Sequence, residues 1–157
     1  MTAFEAGLAA VAPPERVLDV GTGTGLGAFA IASRFPQADI VGVDLSGEMV
    51  EEARRKAPAE LAGRVSFEQA DAVRLPFADE SFDLVTLGNM IPFFDELARV
   101  LASGGQLLVA FSSGAETPIY VPPERLRAEL GRRGFAQFAE FDAGSGTALL
   151  ARKGVAG

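Results

Sequence analysis

The feature that most constrains the fold is the stretch VLDVGTGTGLGAFAIA at residues 17–32. A short β-prone run ends in the alternating glycines Gly21, Gly23 and Gly25, and an apolar pattern with helical spacing follows. Glycine permits positive φ angles and close approach of the backbone to another group, so the stretch predicts a strand, a tight turn and a helix. In an open α/β sheet such a turn lies where ligands bind. We therefore expect a ligand at this turn, with a tight turn that binds nothing as the alternative.

The rest of the chain repeats the alternation of β-prone and helical segments. Further β-prone runs end with FAQFAEFD and GTALLARK, which are joined by residues 143–145 and predict a hairpin with one antiparallel strand. The other runs are 16–20, 40–43, 65–69, 82–87 and 106–111, and the first four are apolar enough to be covered on both faces. The sequence thus predicts an α/β fold with a doubly wound, mostly parallel seven-stranded sheet between two helical layers.

Helix boundaries follow from capping residues. Ser46 is expected to cap a helix that runs to Lys56, Pro122 and Pro123 to open one that closes at Gly134, and residues 96–101 to belong to another. The longest candidate loop is 112–121, and about fifteen residues precede the first strand. We expect residues 1–157 to form a single domain with a short N-terminal segment.

Composition excludes several classes of function. The formal net charge of −7, without a cluster of Lys and Arg, argues against nucleic acid as a partner. No long apolar run and no signal-peptide pattern is seen, so we expect a cytoplasmic protein that does not bind membranes. Cysteine and histidine are both absent, so no metal site is expected, and any proton transfer must use a carboxylate, Tyr120, a lysine or water.

The type of ligand is decided by an acidic residue. Residues 23–28 satisfy the G-x-G-x-x-A variant of the dinucleotide fingerprint, and Asp44 lies at the matching distance downstream. Asp19, however, lies two positions before the first glycine, where we expect it at the mouth of the crevice. A carboxylate there repels a pyrophosphate and attracts a cationic amine or sulfonium centre. The charge favours a cationic ligand.

At this point a family resemblance emerges. DVGTGTG resembles the D/E-x-G-x-G-x-G motif of class I S-adenosylmethionine-dependent methyltransferases, and VGVDLSGEMVEEAR is similar to the second-strand acid and following helix of that family. FEQADAVRLPFADESFDLV resembles the family's third acidic loop and fourth strand, and ELARVLASGGQLLVAF its passage into the fifth strand. Four motifs in order cover almost the whole chain, which makes the resemblance more specific than any single motif.

The resemblance implies a Rossmann-like domain that binds S-adenosylmethionine. It places the glycine loop against the amino-acid part of the cofactor, Asp19 near its amine, directly or through water, and Asp44 on the ribose hydroxyls. It further implies that Leu45 and Met49 flank the adenine, while Asp71 and the backbone of Ala72 contact the ring. The cofactor-binding residues expected from the resemblance are Asp19, Gly21, Thr22, Gly23, Gly25, Asp44, Leu45, Met49, Asp71, Ala72 and Asn89.

Several of these residues have a plain structural alternative. Asp44 is also suited to cap its helix, Met49 to fill a helix core, and Asp71 to bond its own backbone in a turn. Asn89, a polar residue just past the fourth strand, is equally suited to be a cap. Asp83, at the start of that strand, is interpreted as structural despite the resemblance.

The methyl acceptor is expected at residues 88–95 and 112–121, at the ends of the fourth and fifth strands. Phe93, Phe94 and Tyr120 are candidates for its walls, although core positions are favoured for all three. No catalytic residue is identified, because the connection after the fourth strand is short and lacks the histidine that could act as a base.

These observations lead to one favoured function and two rivals. We expect a methyltransferase that acts on a small molecule, with a protein acceptor as a variant. The rivals are a non-catalytic S-adenosylmethionine-binding partner protein and an NAD(P)-dependent oxidoreductase. Because the N-terminal segment is short, a homodimer or a partner subunit is a further way to cover the site.

Overall fold

The sheet at the centre of the molecule has seven strands. A computed structural model describes residues 1–116 and 118–155. The strands are β1 (Arg16–Val20), β2 (Asp39–Asp44), β3 (Val65–Gln69), β4 (Phe82–Gly88), β5 (Leu101–Phe111), β6 (Phe135–Ala143) and β7 (Gly146–Lys153). Their order is β3-β2-β1-β4-β5-β7-β6, and only β7 runs antiparallel to its neighbours. The mostly parallel sheet with a C-terminal hairpin is confirmed.

Helices cover both faces of this sheet. They are α1 (Ala3–Ala10), α2 (Leu26–Arg34), α3 (Gly47–Lys56), α4 (Phe94–Val100) and α5 (Pro123–Gly131). The first three contribute to one apolar core and the last two to the other. Neighbouring residues of one strand serve opposite cores, as Leu107 and Leu108 of β5 show, because side chains alternate across a strand. The three-layer prediction is confirmed.

The order in which successive strands join the sheet reverses at β1. From β1 the chain proceeds through β2 to β3 at one edge, and then returns to β4 on the other side of β1. The carboxyl ends of β1 and β4 therefore adjoin at the switch point of a doubly wound sheet, where a crevice opens. Asp19 of β1 and Thr86 of β4 face each other across this pair in register.

Local capping explains where α3 begins. Ser46 has extended backbone angles, and its hydroxyl accepts the N–H of Met49 at 3.3 Å. The helix ends at Lys56 as expected. Three basic residues in its last turn interact favourably with the negative end of the helix dipole.

The largest differences from the sequence prediction are at two boundaries. The helix α5 ends at Gly131 rather than Gly134, because residues 132–134 continue as tight turns that bring Gly134 to a φ of 87°. Leu101 was expected in a helix, but it begins β5 and pairs with Phe82. A register shift follows before Gln106, which pairs with Leu84, so the first half of this strand lacks a regular pattern in the sequence.

The expectation that the first four strands are covered on both faces is wrong for β3. Ser66, Glu68 and Gln69 are exposed, because β3 is the edge strand and helices cover only one of its faces. β1, in contrast, buries every residue after Arg16.

The predicted hairpin and loop are present. β6 and β7 are joined at Gly144 and Ser145, and the loop from Ser112 includes a 3-10 turn at Gly114–Glu116. Thr117, in the same predicted loop, lies outside the described residues. No helix in the described part of the chain is long and apolar enough to cross a membrane.

Candidate functional site

Two cavities open at the carboxyl ends of the strands. The first, about 510 Å³, lies between the ends of β1, β2 and β4 and the loop after β3, and we name it the β2-side cavity. The second, about 530 Å³, lies between β1, the end of β5, the start of α1 and the β6–β7 turn, and we name it the β5-side cavity. Gly21, Gly88 and Asn89 line both cavities. The two spaces therefore meet at these three residues.

The glycine loop has the backbone that its sequence predicts. Gly21, Gly23 and Gly25 have φ angles of 71°, 57° and 92°. A Cβ on Gly21 would lie 2.5 Å from the sulfur of Met90, and one on Gly25 would lie 3.0 Å from the rings of Phe29 and Phe67. A Cβ on Gly23 would meet nothing within 4 Å. Gly21 and Gly25 thus permit close packing, whereas Gly23 leaves an open backbone face.

Asp19 lies on the floor of the site rather than at its mouth, which corrects the sequence expectation. Its side chain is 5% exposed, and its carboxylate accepts hydrogen bonds from Thr22 Oγ1 at 2.8 Å and Thr86 Oγ1 at 2.7 Å. Gly27 makes room for it, since a Cβ there would lie 3.2 Å from Asp19 Oδ2. Burial raises the pKa of Asp19 to about 6, despite the opposing effect of the two threonine hydroxyls.

Asp44 joins the glycine loop to the start of α3. Its Oδ2 accepts the backbone N–H of Gly23 at 2.9 Å, and its Oδ1 accepts that of Ser46 at 3.0 Å. The bond to Ser46 is a local turn rather than the helix cap considered as an alternative, because Ser46 itself caps α3. The bond to Gly23 reaches the glycine loop after β1. Because each carboxylate oxygen has a second lone pair, the half-buried group can still accept bonds from within the β2-side cavity.

The loop after β3 supplies another wall of the β2-side cavity. Asp71 and Ala72 line it, and Asp71 Oδ1 accepts the N–H of Val73 at 3.0 Å, the turn bond considered as an alternative. Leu45 lines the cavity from the β2 end and is 66% exposed. Met49 is 43% exposed and so does not fill a helix core, and the structure does not bring it into the lining of either cavity.

Asn89 lies where the cavities meet and has a φ of 54°. Its Oδ1 accepts the backbone N–H of Ser112 at 2.8 Å and the Ser112 hydroxyl at 3.1 Å. These bonds tie the end of β4 to the end of β5. Asn89 is therefore not the cap of α4, which begins after Phe93 without a side-chain cap.

The aromatic residues divide between the site and the core. Phe93 lines the β2-side cavity and is 36% exposed, so its expected core position is wrong. Phe94 packs under the guanidinium of Arg133, and Tyr120 packs edge-on against Phe111 with ring centroids 5.4 Å apart. Burial raises the pKa of Tyr120 above its usual value, which disfavours a role as a base.

Asp83 has the structural role expected for it. Its carboxylate accepts the backbone N–H groups of Glu15 and Arg16 at distances of 2.9 to 3.2 Å. These bonds join the amino ends of β4 and β1, whereas the cavities lie at the carboxyl ends of these strands.

Some site residues were missed by the sequence analysis. Thr86 orients the carboxylate of Asp19, and its one signal was a hydroxyl residue inside the apolar run of β4. Met90 lies against Gly21, and the β6–β7 turn at residues 143–147 lines the β5-side cavity. Nothing in the local sequence indicates that the hairpin turn reaches this cavity.

Comparisons with known proteins identify the family of the chain. Residues 17–105, more than half of the chain, match a family described as a methyltransferase domain. The chain is 45% identical to demethylmenaquinone methyltransferase of Deinococcus radiodurans over 103 residues, which are 61% of this chain and 42% of that protein. It is 42% identical to the ubiquinone/menaquinone biosynthesis C-methyltransferase UbiE of Geotalea daltonii over 107 residues, 62% of this chain and 46% of that protein.

The matched part is thus less than half the length of these curated relatives. A solved structure of similar size, an S-adenosylmethionine-dependent methyltransferase from Mesorhizobium loti, has the same fold. The TM-score is 0.73 at 20% identity, with 96% of each chain covered. On the family match and the relatives, the chain belongs to the class I S-adenosylmethionine-dependent methyltransferases.

Proposed function

We propose that the protein transfers a methyl group from S-adenosylmethionine to a small-molecule acceptor. The observation that carries the proposal is the carboxylate of Asp19, buried beside the glycine loop on the floor of a cavity. Among the described residues its side-chain partners are two threonine hydroxyls, and no Lys or Arg forms a salt bridge with it. A buried carboxylate without a cation suits a ligand that brings one, such as an amine.

The lining residues fit the parts of this cofactor. We place the adenosine in the β2-side cavity, with Asp44 accepting the ribose hydroxyls, since a carboxylate has the acceptors that a diol requires. Asp71 and the backbone N–H of Ala72 are placed at the adenine edge, and Leu45 and Met49 at its faces. The roles of Asp44, Leu45, Asp71 and Ala72 rest on the family resemblance and on the lining of the cavity, whereas that of Met49 rests on the resemblance alone.

The amino-acid part is placed toward the β5-side cavity. Gly21, Thr22, Gly23 and Gly25 provide the adjoining loop, and Asp19 accepts from the amine, directly or through water. Thr22 lines this cavity, and its hydroxyl holds one oxygen of the Asp19 carboxylate, so the residue positions the charge.

The bound cofactor supplies an electrophilic methyl group on a sulfonium centre. The protein's task is then to hold the acceptor atom in line with it and to exclude competing water. The acidic side chains that line the cavities are Asp19, Asp44 and Asp71, and all three already accept hydrogen bonds from the protein. We propose that no side chain serves as a dedicated base, and that the acceptor loses its proton to water or arrives as the nucleophile.

We further propose a quinone-type acceptor in its reduced form. The names of the relatives in Deinococcus radiodurans and Geotalea daltonii refer to quinone biosynthesis, which supports this class. The β5-side cavity, of about 530 Å³ and lined by no Lys or Arg side chain among the described residues, is compatible with an uncharged ring system of this size. A protein acceptor is the variant that the assay must exclude.

Calorimetry with S-adenosylmethionine, S-adenosylhomocysteine and NADH tests the cofactor. We expect the first two to bind and NADH not to bind, and the opposite result would overturn the proposal. Labelled S-adenosylmethionine with chemically reduced demethylmenaquinone then tests the acceptor. Binding without label transfer, to this quinol or to any component of a cell extract, would instead indicate a non-catalytic partner protein.

A further inference from the structure

The amide of Asn89 is held in one orientation at the junction of the two cavities. Ser112 presents its backbone N–H, which can only donate, at 2.8 Å from the Asn89 side chain, and its hydroxyl lies at 3.1 Å from the same atom. Since the N–H requires an acceptor, the oxygen of the amide must face Ser112. The amide nitrogen, with two N–H donors, therefore faces away from Ser112.

This nitrogen has no hydrogen-bond partner among the described residues. The hydrogen bonds of the Asn89 side chain in the described part of the chain are the two that its oxygen accepts from Ser112. Asn89 nevertheless lines both cavities, and its left-handed φ of 54° turns the chain directly after β4. Asparagine tolerates this conformation better than most residues and combines it with a side-chain donor.

The β5-side cavity, seen from Asn89, is mostly apolar. Ala3, Phe4, Ala110 and Phe111 supply apolar walls, and Asp19 is the acidic side chain in its lining, where the described residues contribute no Lys or Arg. An anionic molecule would find no Lys or Arg side chain here among the described residues, and it would lie near the carboxylate of Asp19. The lining suits a neutral molecule with an apolar body.

We propose that Asn89 orients the methyl acceptor by donating a hydrogen bond from Nδ2 to an oxygen atom of a neutral, mainly apolar molecule held in the β5-side cavity. The inference rests on the proposed function, because it places the acceptor next to the cofactor. It goes beyond that function by naming the residue that recognises the acceptor and the chemical group it recognises. Asn89 can donate at this position but cannot act as a base.

A matched pair of probes separates the hydrogen bond from shape. 1,4-Naphthoquinone and 1,4-dimethylnaphthalene have similar outlines, but only the quinone has oxygen atoms that accept hydrogen bonds. With S-adenosylhomocysteine present, we expect the wild-type protein to bind the quinone about 3- to 10-fold more tightly, as one neutral hydrogen bond allows. The absence of cysteine from the chain removes the usual nucleophile for covalent attack on a quinone.

The variant Asn89→Asp tests the donor with the least change to the fold. The carboxylate can still accept both bonds from Ser112, but it has no N–H to offer the ligand. With S-adenosylhomocysteine at a saturating concentration for each protein, we expect the preference for the quinone to disappear in Asn89→Asp, and Asn89→Ala should lose the same preference. A preference that persists in both variants would overturn the inference.

The location is tested by closing the cavity. Ala143 lines the β5-side cavity, whereas Ala136 is exposed on the same strand outside it. Ala143→Phe should abolish quinone binding, and the matched control Ala136→Phe should leave it unchanged. Quinone binding that survives Ala143→Phe would refute the placement. If S-adenosylhomocysteine binds normally in these experiments, such a failure leaves the proposed function standing, whereas failure of the wild type to bind it refutes that function instead.

Discussion

At the scale of single residues, the buried carboxylate of Asp19 lowers the free energy of unfolding when it is ionised. Burial raises its pKa from 3.8 to about 6, which means that the folded protein resists ionisation of this carboxyl group. Because the folded pKa lies above the unfolded one, the group costs no stability below about pH 4, and the cost grows until the pH passes the folded value. The full cost is about 3 kcal/mol at neutral pH.

Replacing Asp19 by asparagine should therefore separate stability from binding. We expect Asp19→Asn to raise the free energy of unfolding by up to about 3 kcal/mol at pH 8 and by little at pH 4, because the buried charge is removed. Affinity for S-adenosylmethionine should fall at least about tenfold, as expected when a charged hydrogen bond is lost. Urea denaturation at both pH values and calorimetry measure these effects. A variant that is less stable than the wild type at pH 8 would contradict the role of desolvation.

Asp44 is predicted to act through both the ligand and the glycine loop. Asp44→Ala removes the acceptor for the N–H groups of Gly23 and Ser46 as well as the partner proposed for the ribose. We expect cofactor affinity to fall by about 1 to 3 kcal/mol, measured by calorimetry on a variant shown to be folded by circular dichroism. Asp39→Ala, at the exposed amino end of the same strand, is the matched control and should bind normally. Unchanged affinity in folded Asp44→Ala would remove Asp44 from the site.

These residues show what a sequence can and cannot indicate about a site. The acidic residue before the glycines was identified from its charge, but its depth depends on Gly27 and Thr86, which come from other elements. Phe93 was expected in the core on average statistics for aromatic residues, yet the short connection after β4 leaves it at the cavity. The sequence indicated which side chains belong to the site. How deeply a side chain is buried and which cavity it faces depend on packing between segments that are distant in sequence.

At the scale of elements, one arginine fixes the loop that carries Asp71. Arg99 of α4 donates to the backbone oxygens of Leu75 and Phe77 at 3.0 and 2.7 Å, and to the carboxylate of Glu96 at 2.7 Å. Glu96 in turn accepts the N–H of Leu75 at 2.7 Å, and its pKa is lowered, chiefly by the hydrogen bond from Arg99. The loop after β3 is thus held from α4, on the face of the sheet that this helix covers.

We expect Arg99→Met to lower the free energy of unfolding by about 1 to 3 kcal/mol, since partly buried carbonyl groups lose their donors. Cofactor affinity should fall by a smaller amount, because the loop with Asp71 and Ala72 becomes less ordered. Arg55→Met is the control. Among the described residues the side chain of Arg55 pairs with Glu52 at the surface of α3, so its loss should change stability by no more than about 0.5 kcal/mol. Chemical denaturation of both variants provides the comparison. A loss of unfolding free energy in Arg99→Met no larger than that in Arg55→Met would show that the Arg99 network is dispensable.

The elements themselves were largely readable from local patterns. Strands with continuous apolar runs were located to within about one residue, because both of their faces must be apolar when helices cover them. The start of β5 was missed because residues 101–105 contain small residues and a Gly104 with a φ of 79°, which resemble a loop. Only pairing with Phe82 of β4 makes this segment a strand.

At the scale of the whole molecule, a doubly wound and mostly parallel sheet followed from the alternation of strands and helices, whereas the order of its strands was not predicted. Right-handed crossovers and a C-terminal hairpin restrict such a chain to few topologies. The meeting of two cavities at Gly21, Gly88 and Asn89 was not predictable, since it depends on how α1 and the β6–β7 turn pack at the same edge. Contacts between segments that are far apart in sequence form the β5-side cavity.

This topology predicts that cofactor binding slows hydrogen exchange only at the carboxyl ends of the parallel strands. Hydrogen exchange with S-adenosylhomocysteine should slow amides of the glycine loop and residues 71–73, at the carboxyl ends of the parallel strands. The amides of Glu15 and Arg16 donate to Asp83 at the amino ends of β1 and β4, so they should exchange at unchanged rates and serve as the internal control. Because a ligand protects most the amides that it contacts or orders, equal slowing at both ends of the strands would show global stabilisation alone and would not support a site in the crevice. Protection confined to the amino-end edge would place the ligand on the wrong side of the sheet and would remove the basis for every role assigned above.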